Sequence, residues 1–431
     1  MPSPRPTLLY RAYVALSFVL LPFAALMTLR KLRAAGVPVE RAHERLGNAT
    51  EQRPGGPLVW FHAASVGESL SVLALIARMG RARPRARFLI TSGTATSARL
   101  IAERMPPNTF HQYAPLDGIG PMRRFLDHWR PNAAIFVESE IWPQMLRLTR
   151  ARGIPMALVN ARLSAGSQAG WLGRPKTAAY VFDVFDLILS QNDAMARTMV
   201  ALGAPPERVE RGINLKSLSD ALPVRPDVVA EMERALSGRP RWVAASTHAG
   251  EERIVLDAHS RLLERWPDLC LILAPRHPQR GDDAAGAAAA AGLSCTRRSL
   301  GDAPTAQVYL ADTLGELGNW YALTGFAFLG GSLFPIGGHN PFEVAQAEAA
   351  VLSGPHVANF AETFDEMEKC GAARITPDAD QIAEGAAMWL SDDAALDMAR
   401  RAAAEFATRR RGQLDEIAER LIRTLKIGEA G

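Results

Sequence analysis

Leu58-Val-Trp-Phe-His-Ala-Ala-Ser-Val-Gly-Glu-Ser-Leu70 holds three structural signals in one stretch. The run Leu58–Ala63 is apolar and aromatic without clean alternation, the pattern of a parallel strand buried on both faces. Ser65 and Gly67 supply the turn, and from Leu70 to Met79 the apolar residues fall at helical spacing. The same grammar continues along the chain. Phe88–Ser92, Ala133–Glu138, Pro155–Asn160 and Leu187–Gln191 read as further buried strands, with helical patterns such as Pro121–Trp129 between them. Strand, loop, helix, strand predicts a doubly wound α/β sheet.

The alternation stops at Ser217–Pro226, whose Ser, Asp and two prolines mark a linker, and then restarts. Arg241–Thr247, Leu269–Pro275, Gln307–Asp312, Phe326–Gly331 and Ala350–Ser353 predict a second sheet of similar size. The stretch from Ala394 to Ile427 is helical in pattern with no strand of its own, so it must dock on existing surface. The expected division is an N-terminal segment 1–35, an α/β domain over 36–222, and a second α/β domain over 223–431 that includes the terminal helices. Two such domains are expected to face each other across a cleft lined by the carboxyl ends of their strands.

Composition narrows the class. A chain of 431 residues with 48% hydrophobic and 22% charged residues is folded and too long for one ordinary core. A net charge of +4 is too small to argue for nucleic acid. Cys270, Cys295 and Cys370 are widely spaced and form no CxxC pair, so neither a disulfide framework nor a zinc site follows. From Ala12 to Leu29 no residue is charged, and Arg30, Lys31 and Arg33 follow at once. A span of this length reaches the roughly 17–25 residues that cross a bilayer, with the basic flank on the cytoplasmic side. The expectation is an N-terminal membrane anchor with the globular part facing the cytoplasm; an ordinary buried or interfacial helix is the alternative.

Chemistry is expected at the strand ends. Glu68 opens a predicted helix, where it reads as a first-turn acid complementing the helix dipole as readily as a base. Glu138-Ser-Glu140 ends another strand, and Lys216 closes Gly212-Ile-Asn-Leu-Lys216. In the second half, four consecutive strand ends carry ligand-type residues. These are Ser246-Thr247-His248, Arg276-His277, Asp312-Thr-Leu-Gly315-Glu316-Leu317 and Gly337-Gly-His-Asn340-Pro341-Phe342-Glu343. Backbone amides at helix starts, with an Arg beside them, suit a phosphate, and Glu343 suits ribose hydroxyls. The pattern points to a nucleotide-type ligand in the second domain. No GxGxxG or GxxxxGK[ST] loop and no HExxH or HxxxH pair occurs, so neither a dinucleotide site nor a metal site is expected.

Taken as an ordered set, these residues resemble the 3-deoxy-D-manno-octulosonic acid (Kdo) transferases of lipopolysaccharide synthesis. The matching stretches are Trp60–Glu68, Glu138-Ser-Glu-Ile-Trp-Pro143, Gly212–Lys216, Ala274-Pro-Arg-His-Pro278, Asp312–Leu317, Gly330-Gly-Ser332 with Gly337–Glu343, and Gly354-Pro-His356. Phe342 stands where an aliphatic residue is more usual in that family. The resemblance implies a GT-B fold of two Rossmann-like domains, CMP-Kdo as donor, a lipid A precursor in the inner membrane as acceptor, and inversion without metal or cofactor. It implies Glu68 as general base, with Glu138 and Lys216 stabilising the transition state. It further implies that Arg276, His277, Gly315, Glu316, Leu317, Asn340, Pro341, Phe342 and Glu343 hold CMP, and the strand-end pattern adds Ser246 and Thr247 to that nucleotide site. The competing readings are a GT-B enzyme acting on a UDP-sugar, as transferase or epimerase, and a membrane-tethered binding module without chemistry.

Overall fold

In a computed structural model, which describes residues 5–212, 214–215 and 221–428, the chain forms two compact units. One comprises residues 1–218 and 412–431, the other residues 219–411.

The first unit is built on a parallel sheet of seven strands: β1 (Leu58–His62), β2 (Arg87–Ser92), β3 (Thr109–Tyr113), β4 (Ala133–Val137), β5 (Met156–Ala161), β6 (Leu187–Ser190) and β7 (Val209–Arg211). Their order is β3-β2-β1-β4-β5-β6-β7, so the chain reverses its direction of winding between β1 and β4. Every residue of β1 and β4 is buried, as their unbroken apolar runs require. The Trp60 ring packs at 4.7 Å from Phe125 and 5.2 Å from Phe136, which ties the helix Ile119–Trp129 to the sheet face.

The second unit repeats the plan with β8 (Arg241–Thr247), β9 (Cys270–Pro275), β10 (Cys295–Arg297), β11 (Val308–Leu310), β12 (Phe326–Leu329), β13 (Ala350–Ser353) and β14 (Ala373–Ile375). The order is β10-β11-β9-β8-β12-β13-β14, with its reversal between β8 and β12. Trp242, Phe326 and Trp389 form its aromatic core, with ring separations of 6.3 and 5.3 Å. In open α/β sheets, ligands bind at such reversals, beyond the carboxyl ends of the strands.

The terminal helices, expected in the C-terminal domain, do not all lie there: the chain from Gly412 onward belongs to the first unit. Arg78 meets Asp415 at 3.0 Å, and Arg83 donates to the Ile427 carbonyl at 3.3 Å. The helix Asp393–Thr424 carries an apolar stripe along its length, and periodicity alone does not say which surface covers it.

The N-terminal helix Leu8–Ala34 is 27 residues long, with a mean hydropathy of 2.1 over its most apolar window, long and apolar enough to cross a membrane. One face nevertheless lies on the first unit. Thr7 bonds Thr177 at 2.8 Å, the Tyr13 hydroxyl donates to Asp117 at 2.6 Å, and Gln144 donates to the Ser17 hydroxyl at 2.6 Å. These partners recur at helical spacing, while Leu8, Leu16, Phe18, Phe23 and Met27 on the other face are exposed.

Gly47 ends the short turn His43–Leu46 with φ 85°, and a Cβ there would sit 2.0 Å from the Pro121 carbonyl oxygen. Both the left-handed backbone and the contact exclude a side chain. Gly47→Ala is expected to lower the unfolding free energy by about 2–3 kcal/mol, read as a shift of the urea midpoint; an unchanged midpoint would remove this contact from the account.

Candidate active site

At the β1/β4 reversal the sheet register pairs His62 with Phe136, which sets the two following loops side by side. The first loop turns at once into the helix Val66–Ala82, and Ser65 and Glu68 close a reciprocal capping box at its start. The Glu68 carboxylate accepts from the amides of Ala64 at 2.9 Å and Ser65 at 3.3 Å. It is also buried, and its pKa is raised, first by burial and next by the negative charge of Glu140. The capping role and the raised pKa coexist. A purely structural capping acid would have its pKa lowered by the helix start, so the neighbouring carboxylates and burial decide the sign.

The second loop holds Glu138 and Glu140, both buried. Glu138 has φ 54°, a left-handed backbone that is unusual for a non-glycine residue and turns the chain sharply off the strand. Its Oε1 accepts from Asn160 at 3.1 Å; Asn160, also left-handed at φ 54°, sits at an irregularity in the β5–β6 pairing. Glu140 lies 3.1 Å from His62 Nε2 and accepts from the Trp142 indole at 2.6 Å. Burial acts to raise the Glu140 pKa, but the contacts with His62 and Trp142 outweigh it and hold the carboxyl below its ordinary value. Arg45 sits within electrostatic reach: burial draws its guanidinium down to about 10, and Glu140 opposes that shift. Lys216 lies outside the described residues.

At the β8/β12 reversal, Ser246 is left-handed at φ 56° and Thr247 is fully buried, its hydroxyl donating to Glu252 at 3.3 Å. Arg280 holds the same carboxylate at 2.8 Å. Glu251 is the centre of this region. It accepts from the amides of His248 (2.8 Å), Gly331 (2.7 Å), Ser332 (2.8 Å) and Leu333 (2.8 Å), joining the loops after β8 and β12. The loops meet so closely that a Cβ on Gly330 would lie 2.7 Å from the Ser246 carbonyl oxygen. His248 and His339 stack at 5.1 Å and share a 2.9 Å Nε2 to Nε2 hydrogen bond, so one ring donates and the other accepts. Burial brings His339 down to about 4, with His248 and Arg276 adding to the shift. His277 packs edge-on to His248 at 5.8 Å. Arg276 and His277 are exposed, and no ion pair among the described residues engages Arg276. That leaves a free cation beside a cluster of imidazoles, a combination suited to an anion.

The expected nucleotide residues do not all present side chains. Glu316 is taken up by Arg298, at 3.0 and 3.2 Å, and by Arg225 and Thr313. Gly315, at φ 78°, and Leu317, which starts the helix Leu317–Ala322, offer backbone. Asn340 caps the helix Pro341–Gln346 by accepting from the Phe342 amide at 3.1 Å. Pro341 and Phe342 are buried, with Phe342 against Phe406 at 6.4 Å, which accommodates the unusual aromatic as core. Glu343 is half-buried near Tyr321. Among the described residues no cluster of three His, Cys, Asp or Glu side chains has the geometry to hold a metal ion. His62, Arg45, Asn160 and Glu251 carry no local signal that marks them as site residues. A buried His in a strand and an acid at a helix start each read as ordinary, and only the fold brings them together.

Two Rossmann-like units, each with a reversal of winding at the centre of its sheet, define a fold of the GT-B class. A solved glycosyltransferase from Rickettsia africae shares this fold, with a TM-score of 0.58 at 10% identity, over 87% of this chain and 100% of that one. A family model described as 3-deoxy-D-manno-octulosonic-acid transferase (kdotransferase) matches residues 40–218. The 3-deoxy-D-manno-octulosonic acid transferase of Bordetella pertussis is 36% identical, over 87% of this chain and 90% of its own length. A probable mitochondrial 3-deoxy-D-manno-octulosonic acid transferase of Arabidopsis thaliana is 32% identical, over 85% and 84%. The chain belongs to the 3-deoxy-D-manno-octulosonic acid transferases. That membership sets aside a UDP-sugar enzyme and a binding module without chemistry.

Glu251→Ala removes the acceptor of four amides at once, three of them buried. It is expected to destabilise the protein by about 3 kcal/mol, seen as a lower midpoint in denaturant melts. A melt superimposable on wild type would mean that water replaces the carboxylate.

Proposed function

We propose that the protein transfers Kdo from CMP-Kdo to a hydroxyl of a lipid A precursor, with inversion at the anomeric carbon and without a metal ion, and that Glu68 is the general base. The observation that carries this reading is a buried carboxylate, Glu68, set at the β1/β4 reversal beside the loop of Glu138 and Glu140 in a chain of this family; burial and the charge of Glu140 raise its pKa. Glu68 takes the proton of the acceptor hydroxyl as its oxygen bonds to the anomeric carbon. The bond from that carbon to the phosphate oxygen breaks, and CMP leaves with the electron pair. Glu138 and Lys216 stabilise the charge that develops in between. In the second unit, Arg276 with His277, the backbone of Gly315–Leu317 and the helix start at Asn340–Glu343 hold CMP. Ser246 and Thr247 shape the loop beside them rather than reaching far from it. His62, Trp142 and Arg45 act through Glu140, keeping that neighbour ionised so that it in turn pushes Glu68 upward.

The protein acts at the cytoplasmic face of the inner membrane, held by the helix Leu8–Ala34. Because Thr7, Tyr13 and Ser17 are bonded to the first unit, the helix lies in the membrane surface with its free apolar face in lipid, rather than crossing it.

Glu68→Gln is expected to lower transfer by about 10²–10⁴-fold while CMP binding persists. The stability effect has the opposite sense. A carboxyl whose folded pKa is raised favours the folded state below its unfolded pKa, and that contribution is lost as pH rises through the folded pKa. At pH 7 the variant should therefore melt no lower than wild type, and near pH 4 its relative advantage should disappear. The acid limb of kcat/KM should sit above the ordinary carboxylate range and move down in Glu140→Gln. Unchanged turnover in Glu68→Gln would take this residue out of the mechanism. The substrate reading is checked by product analysis with CMP-Kdo and a tetra-acylated lipid A precursor, with and without chelator. Product formed only from UDP-sugars, or none with chelator present, overturns it.

A further inference from the structure

Beside the buried carboxylates of the first unit, the structure has a cavity of about 460 Å³, within the ~300–1,000 Å³ of pockets that hold one small ligand. The N-terminal helix lines it through Leu9, Tyr10 and Tyr13, the helix Ala165–Leu172 through Gly170 and Trp171, and Trp142 completes the aromatic lining. The lining is largely apolar and aromatic. It is also preformed, since Tyr13 is held by Asp117 at 2.6 Å and the Tyr10 ring packs on Tyr180 at 4.9 Å.

Two further observations say what would fill it. Trp142 belongs to the cavity and to the acid cluster together: its ring lines the one, while its indole N–H donates to Glu140 at 2.6 Å in the other. The helix that supplies Leu9, Tyr10 and Tyr13 to the lining also carries the exposed apolar residues Leu8 and Leu16. Arg174, also in the lining, is exposed and donates to the Gly170 carbonyl at 2.7 Å. A ligand matching all three features has an apolar chain that enters from the lipid side, an anionic headgroup and a reactive polar part near Glu140.

We infer that this cavity is an acyl-chain site for the acceptor: one fatty chain of the acceptor lipid sits between the N-terminal helix and Trp171, and this seating presents the acceptor hydroxyl to the acid cluster through Trp142. The inference rests on the reading of the acceptor as an acylated lipid. It gives the N-terminal helix a second task, as a wall of the acceptor site, besides attachment. Trp142 is a positioning residue here, since it touches the chain and the carboxylate but not the reacting atoms.

The test uses the full chain in detergent micelles and acceptors with one headgroup and progressively shorter acyl chains. Burying each methylene is worth about fourfold in affinity, so removing four is expected to lower wild-type kcat/KM by roughly 10²-fold. Gly170→Leu fills the cavity from a position where an added Cβ meets nothing nearer than 3.8 Å, so the fold is kept. In this variant the dependence on chain length should flatten, with KM for the long-chain acceptor raised about tenfold or more, KM for the donor unchanged, and short-chain activity equal to wild type. Ser167→Leu should behave alike. Micelle partitioning affects all the proteins equally, so the difference between them reports the cavity. Parallel chain-length curves for variant and wild type overturn the site. A separate arm cross-links an acceptor bearing a diazirine at its chain end, with label expected on peptides containing Trp142 or Trp171. Equal labelling by a diazirine phospholipid would show that bulk lipid fills the cavity, and overturns its assignment to the acceptor. If wild type transfers Kdo to none of the acceptors, the proposed function fails, and the cross-linking arm still decides the cavity.

Discussion

Three carboxylates, Glu68, Glu138 and Glu140, are buried in neighbouring loops at one reversal of the first sheet, and much of that unit's local structure serves to keep them there. Unpaired buried charge is among the most costly features a fold can carry. Each carboxylate is met differently. Glu68 takes two backbone amides, Glu138 takes the Asn160 side chain, and Glu140 takes His62 and Trp142. The left-handed backbones of Glu138 and Asn160 belong to the same solution, since they bend two adjacent strand ends so that acid and amide meet. What remains uncompensated appears as the upward shift of Glu68, the property a base requires.

The second unit treats its central carboxylate in the opposite way. Glu251 is satisfied four times over by backbone and sets the loop geometry without standing toward a ligand. Asp312 and Glu316 are likewise paired, with Arg297 and Arg298. Negative charge is thus neutralised inside the loops, while Arg276 and His277 are left exposed. Close packing at Gly330 and Gly331 makes this possible, because any side chain there would strike Ser246 or His339. The sign of the surface offered to a ligand follows from which charges are paired beneath it.

Much of the fold was legible along the chain, and the strands that escaped notice share a cause. Thr109–Tyr113, Val209–Arg211, Cys295–Arg297 and Ala373–Ile375 are the outer strands of the two sheets. An edge strand pairs on one side only and carries polar residues such as His111, Glu210, Arg297 and Arg374, so no unbroken apolar run marks it. The central strands, buried on both faces, announce themselves. The docking of the terminal helix beyond Gly412 on the first unit was hidden for a related reason: amphipathic periodicity reports that a face is covered, not by what.

The strand-loop-helix stretch at Leu58–Leu70 therefore determined, by itself, the α/β class and the position of Glu68 at a helix start, because both are local consequences of periodicity and capping. The ordered set of motifs carried the family. Whether Glu68 is a dipole-complementing acid or one with a raised pKa was decided by the tertiary structure, since Glu140, Glu138 and the burial responsible lie some 70 residues along the chain, and only the β1/β4 pairing brings them near. The same holds for the N-terminal helix. Its lack of charge marked it as apolar, but its seat on Thr177, Asp117 and Gln144 and the cavity it encloses with Trp142 and Trp171 are contacts across the fold that no local pattern encodes.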